Sequence, residues 1–174
     1  MLTRLACVCG LGLAVLLPAG RAVGDEPAPA AAAGVIVLGA GNPMVLSTDD
    51  IAKLPAVQVS VSFATDHGQR NSAFEGPLLW TVLDTTHAID TGKPRGFVRQ
   101  TVLVTGRDGY TAILAMGEIA PEFEAKQVIL ADKMDGQDLG GDHLRIVVPG
   151  DKRGGRSVHD LASIAVIAPL AEKP

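Results

Sequence analysis

Between Val57 and Phe63 every second residue is apolar: Val57, Val59, Val61 and Phe63 alternate with Gln58, Ser60 and Ser62. A period of two places one set of side chains on one face of a strand and is incompatible with the 3.6-residue period of a helix. Strand-like runs recur at Thr101 to Thr105, Tyr110 to Leu114, Gln127 to Asp132, Leu144 to Val148 and Ser163 to Ile167. Asp108-Gly109 and Asp135-Gly136 are hairpin-turn dipeptides, because Gly and Asp tolerate the positive φ that such turns need. Val35 to Leu38 adds a short apolar strand.

Helices occupy the spaces between these runs. Ser47 is an N-cap residue with Asp50 at the reciprocal position of a capping box, and Pro55 stops the segment, so a helix is predicted from Thr48 to Leu54. Gly76-Pro77 opens a second, with Pro77 at its first position and Leu78, Leu79, Val82 and Leu83 on its apolar side, ending near Thr86. The polar stretch Thr65 to Ala73 reads as a loop, and Pro149 to Arg156 as an exposed basic one. Several strands with a few short helices predict an α+β fold built on a mixed or antiparallel sheet.

Two tempting motifs fail. Gly39-Ala40-Gly41 follows a strand, but a dinucleotide fingerprint needs glycine where Met44 stands, and Pro43 interrupts the helix start. His67, His87, His143 and His159 have no HxxxH spacing, and no GxSxG occurs. The residue pattern therefore assigns no catalytic residue and no metal ligand. The 20 % charged and 47 % apolar composition excludes a largely disordered chain. With a net charge of −4 and only six aromatic residues, the chain lacks both the basic surface and the stacking platform of nucleic-acid binders.

The amino terminus reads as a secretion signal over residues 1–24. Arg4 precedes the apolar run Leu5 to Leu17, and Ala22 and Gly24 supply small residues before Asp25. Pro18 ends the run short of the roughly 20 residues a spanning helix needs. Residues 25–34 form a Pro/Ala-rich tail, and 35–170 the folded domain. A soluble periplasmic protein is expected. Cys7 and Cys9 are the chain's only cysteines, so no thiol would survive cleavage.

Three strings, DGYTAILAMGEI, KQVILADKMDGQDL and LRIVVPGDKRGGRSVHDLASIAV, occur in the order and spacing of the carboxy-terminal half of the sulfite-oxidase-type molybdopterin-binding domain. Upstream, VSVSFAT and FEGPLLWTVLD resemble that family's strand, loop and leucine-rich helix. The resemblance spans roughly Leu46 to Ile167 and implies a molybdopterin-dependent oxidoreductase fold. In catalytic members a cysteine just after the strand ligates molybdenum; here Phe63 or Ala64 stands in its place, and neither can. The implied reading is an exported, non-catalytic pterin-binding regulator without bound molybdenum, partnered by a membrane-bound signalling or redox protein. A molybdopterin-dependent oxidoreductase or subunit, and a ligand-free interaction module, are the alternatives.

The resemblance also implies site residues. Tyr110 matches a pocket-lining tyrosine, and Arg145 an arginine before the VVP strand whose guanidinium could hold a carbonyl or phosphate. His67 and Arg70 follow the strand where the cysteine would stand. These four are the candidate pterin or molybdopterin ligands. Trp80 could stack on a ring or pack in the helix, Asp108 suits the turn, and Lys152, Arg153 and Arg156 could receive an anion or form a solvated basic turn.

Overall fold

The computed structural model describes residues 34–65, 68–91 and 96–168. The proposed signal and most of the tail lie outside that range. Among the described residues no helix is long and apolar enough to cross a membrane.

The Val57–Phe63 alternation lies within β3 (Ala56–Thr65), which pairs along its whole length with β4 (Gly68–Pro77). Val59 and Val61 are buried on one face with Phe74 of β4, over Ile129, Ala131 and Val147, while Phe63 is half-buried at the rim of that cluster. The hairpin continues as a sheet through β8 (Lys133–Met134) and β9 (Gln137–Asp138), in the order β3-β4-β8-β9. Asp135 and Gly136 close the β8–β9 turn at φ of 51° and 80°, as the dipeptide predicted.

A five-stranded sheet carries the larger core. Its order is β2-β1-β11-β5-β6, comprising Met44–Leu46, Val35–Leu38, Leu161–Ile167, Thr101–Gly106 and Thr111–Ala115. β1 and β11 are parallel and every other pair is antiparallel, so the sheet is mixed. Val35, Val37, Val102, Val104, Leu114 and Ile164 point inward, against α1 (Thr48–Ala52), α2 (Leu79–Thr85) and α3 (Met116–Ile119). β7 (Ile129–Ala131) and β10 (Arg145–Val147) form a separate antiparallel pair. Leu130 and Ile146 bury into the larger core, whereas Ile129, Ala131 and Val147 belong to the hairpin cluster. This pair joins the two cores because alternate residues of a strand face opposite ways.

The capping box on α1 is present: the Asp50 N–H donates to Ser47 Oγ at 3.2 Å, and Asp50 Oδ2 accepts from the Ser47 N–H at 3.3 Å. The helix ends at Ala52, two residues short of the predicted stop.

Two expectations are corrected and a third is refined. Most of Thr65 to Ala73 is strand, because β4 begins at Gly68. Its outer half is exposed, so backbone pairing to β3 holds it and no apolar alternation marks it. The second helix starts at Leu79, and Pro77 ends β4. Gly76 permits this: a Cβ there would lie 2.1 Å from the Leu130 carbonyl oxygen, so only glycine lets β4 lie this close to β7 just where a helix was expected to open. The segment Pro149 to Arg156 is an exposed loop at Gly150 and from Lys152 to Gly155, as predicted, but Arg156 at its end is two-thirds covered and doubly paired.

Candidate functional site

The inner end of the 149–157 loop docks on β3. The Ala64 N–H donates to the Lys152 carbonyl at 3.2 Å, and the Tyr110 hydroxyl donates to the Gly155 carbonyl at 2.7 Å. Arg156 clamps the same loop, donating through Nε and Nη2 to both Asp151 oxygens at 2.9 and 2.7 Å and through Nη1 to Glu118 at 3.1 Å. A fork-to-fork guanidinium–carboxylate pair fixes orientation as well as distance. The guanidinium holds the Asp151 carboxyl below the usual carboxylate range. Its charge is spent on Asp151 of the loop and Glu118 of α3, so Arg156 is a structural clamp and not a receiver for an external anion.

Pinned this way, the loop presents Gly154 to the Phe63 ring, where a glycine Cβ would stand 3.8 Å from the ring carbons. Phe63, Ala64, Arg70, Ser72, Phe74, Met134, Arg145 and Gly154 enclose a cavity of about 220 Å³. Arg145 starts β10, and its guanidinium carbon lies 5.6 Å from the centroid of Phe74, a cation–π contact. Burial lowers the Arg145 pKa, the like charge of Arg70 adds to that, and Asp160 opposes it. No side-chain hydrogen bond or salt bridge joins either guanidinium to a described residue. Two cations with open donors therefore face one small, mostly apolar cavity.

The candidate ligands divide as follows. Arg70 and Arg145 meet at the cavity. Tyr110 stands beside it, half-exposed, and holds the wall through Gly155 instead of lining the space. His67 lies outside the described residues. Trp80 packs edge-on against Phe97 at 5.6 Å, which is the packing use and not a stacking platform. Asp108 caps its turn by accepting the Tyr110 N–H at 2.9 Å.

Sequence reasoning missed Phe74, Met134 and Gly154 as wall residues. Phe74 was legible as apolar, but its place opposite Arg145 depends on the β4–β8 register, Phe74↔Met134. It also missed a carboxylate shared by two histidines: His143 Nδ1 and His159 Nδ1 lie 2.7 and 2.8 Å from the two oxygens of Asp160. These contacts lower the Asp160 pKa. The residues His143 and His159 are sixteen apart, so no local spacing rule could join them.

The architecture and this cavity define an α+β domain of the sulfite-oxidase type. The chain belongs to the oxidoreductase molybdopterin binding domain family, which it matches over residues 35–172. Among solved structures it is similar to the crystal structure of the sulfane dehydrogenase SoxCD from Paracoccus pantotrophus. The TM-score is 0.62 at 18 % identity, with 80 % of this chain and 39 % of that one covered. The likeness is one of fold, and this chain spans well under half of the other's length. No curated protein sequence matches it.

The family implies a molybdopterin cofactor, and the cavity can be tested against it. The metal-bearing end does not fit. Phe63, whose ring packs on Gly154, or Ala64 stands where the family resemblance puts the ligating cysteine, neither can ligate a metal, and among the described residues no three His, Cys, Asp or Glu side chains gather around a common point. The organic part fits better, since unpaired guanidinium donors suit ring carbonyls or a phosphate and Phe63 and Phe74 offer apolar faces.

Proposed function

We propose that this protein is an exported, non-catalytic pterin-binding regulator that works with a membrane-bound signalling or redox protein. One observation carries the reading: Arg70 and Arg145 keep their donors open to a cavity lined by Phe63 and Ala64, one of which stands where the family resemblance puts the metal-ligating cysteine. Loss of the thiolate with retention of the cationic groups is what a change from redox chemistry to ligand sensing leaves behind. Exposed Ile36, Leu38, Val45, Ile113 and Ile167 share the outer face of the five-stranded sheet, which supports a protein partner. The signal pattern in residues 1–24 supports export.

In binding, Arg145 would donate to a ring carbonyl or phosphate oxygen, Arg70 would add charge at the mouth, and Phe63 and Phe74 would exclude water from the ring faces. No proton or electron transfer is assigned to any side chain.

Calorimetric titration of the purified protein with a panel of reduced pterins tests the reading. Arg145→Ala removes a charge-assisted hydrogen bond worth about 1.5–3 kcal/mol, so affinity falls roughly ten- to a hundredfold. Tyr110→Phe costs less, about 0.5–1.5 kcal/mol, because a neutral hydroxyl that anchors the wall is lost. Protein made in a molybdopterin-competent host should carry no stoichiometric molybdenum by elemental analysis. Stoichiometric metal would refute the regulatory reading, and no pterin affinity below about 1 mM would refute ligand sensing.

A further inference from the structure

Backbone pairing leaves one long strand edge bare. β3 stands at the end of the order β3-β4-β8-β9 and runs for 10 residues against β4 without a bulge. Ala73 and Glu75 of β4 are turned away from β3: the Asp135 N–H donates to the Ala73 carbonyl at 2.7 Å, and the Asp132 N–H to the Glu75 carbonyl at 3.0 Å. Their β3 partners, Ser60 and Gln58, therefore sit in pairs that exchange no hydrogen bond with β4 and direct both backbone groups outward. Ala64 has the same parity, and its N–H goes outward to the Lys152 carbonyl at 3.2 Å. Ala56 and Ser62 follow the same rule. Among the described residues no backbone group of Ala56, Gln58, Ser60 or Ser62 has a partner on that outer side.

Monomers protect such edges with short strands, charges, prolines or bulges, because an open row of N–H and C=O groups pairs with any strand that reaches it. Of the other edge strands, β2 has 3 residues and β9 has 2. β3 has no such protection: it carries no charged residue and no proline, and Gln58, Ser60 and Ser62 are exposed. Its open stretch has defined ends. Pro55 precedes it with no N–H to give, and Lys152 already holds Ala64. Residues 56–62 have their midpoint at Val59, so the stretch is complementary to a second copy of itself run antiparallel. That register sets Gln58 opposite Ser60 and Ala56 opposite Ser62 as hydrogen-bonded pairs, and keeps Val57, Val59 and Val61 of both copies on one face. The ends are opposite in charge. Exposed Lys152, beside Ala64, arrives at the Ala56 end of the other copy, where exposed Asp49 lines the same cavity as Ala56.

We propose that the outer edge of β3 is a homodimer interface, in which two copies pair antiparallel about Val59 and join their hairpin sheets into one. Main-chain hydrogen bonds supply the attachment. Parity supplies the register, since a slip by one residue would set outward-facing groups against groups turned toward β4. The interface needs no ligand, so it stands or falls apart from the pterin reading.

Sedimentation velocity of the purified protein between about 5 and 500 µM should show a monomer–dimer equilibrium with a Kd below about 100 µM. Hydrogen exchange followed by NMR reads the register. The amides of Gln58, Ser60 and Ser62 should slow about threefold or more from the lowest to the highest concentration, whereas those of Val57, Val59 and Val61, already bonded to β4, should change little. Two double variants on the exposed face test the pairing. Gln58→Lys with Ser60→Lys sets like charges directly opposite each other and should raise the Kd about tenfold or more. Gln58→Glu with Ser60→Lys sets opposite charges there and should dimerise at least as tightly as the wild type. A Kd above about 100 µM would overturn the proposal and leave the edge to a strand from another protein. So would a dimer indifferent to the paired lysines, or concentration-dependent protection that spares Gln58, Ser60 and Ser62.

Discussion

Arg156→Ala should destabilise the domain by about 2–3 kcal/mol, an amount that separates a structural clamp from an exposed surface charge. The residue makes hydrogen bonds to two carboxylates, and its side chain keeps 32 % of its exposure against 18 % for Asp151 and 26 % for Glu118. Charge-assisted hydrogen bonds contribute about 1.5–3 kcal/mol each when well shielded. Partial solvent access discounts that figure, while leaving Asp151 largely covered and unpaired adds back a desolvation cost. For a domain of this size the loss lowers Tm by about 5–10 °C.

Urea unfolding gives the free energy directly, and a double-mutant cycle with Asp151→Asn isolates the pair, with an expected coupling of about 1–2 kcal/mol. The pH dependence supplies a sign. Asp151 has its folded pKa depressed below 3.8, so its contribution is present above the unfolded value and is lost as pH falls through the folded one. The gap between wild type and Arg156→Ala should be full at neutral pH and close in acid below about pH 4. A destabilisation under about 0.5 kcal/mol, or a gap that does not close in acid, would refute the clamp.

Three further outcomes follow from the packing. Gly76→Ala should cost about 2–3 kcal/mol in urea unfolding, because its Cβ would meet the Leu130 carbonyl at 2.1 Å and β4 must move off β7. Trp80→Ala should cost about 3 kcal/mol in the same assay, through lost burial and the edge contact to Phe97 at 5.6 Å. Asp50 should titrate at about 2 by NMR instead of 3.8, held down first by Lys53 and then by Ser47. Its stabilising share is therefore present above about pH 4 and lost as pH falls through about 2, and Lys53→Ala should raise the titration midpoint.

Features that depend on neighbours in the chain were legible in the amino-acid order alone. The alternation from Val57 to Phe63, the Ser47–Asp50 capping box and the Asp135-Gly136 turn all appear where the residues placed them, because a pleat, a helix start and a positive-φ turn are decided within a few residues. The want of a cysteine at Phe63 or Ala64 and the candidacy of Arg70 and Arg145 came from the family resemblance, and the fold adds that Phe63, Ala64, Arg70 and Arg145 line one cavity. What escaped was set by distant pairing. The outer half of β4 has no apolar face and becomes a strand only because β3 supplies its hydrogen bonds. Gly76 lies within a strand instead of opening a helix, in a place where the Leu130 carbonyl of β7 comes within 2.1 Å of where its Cβ would be. Arg156 loses its role as an anion receiver because Glu118, on another element, comes within 3.1 Å. A local pattern constrains dihedral angles and periodicity, but burial and charge pairing depend on which distant segment arrives alongside, and only the folded chain decides that.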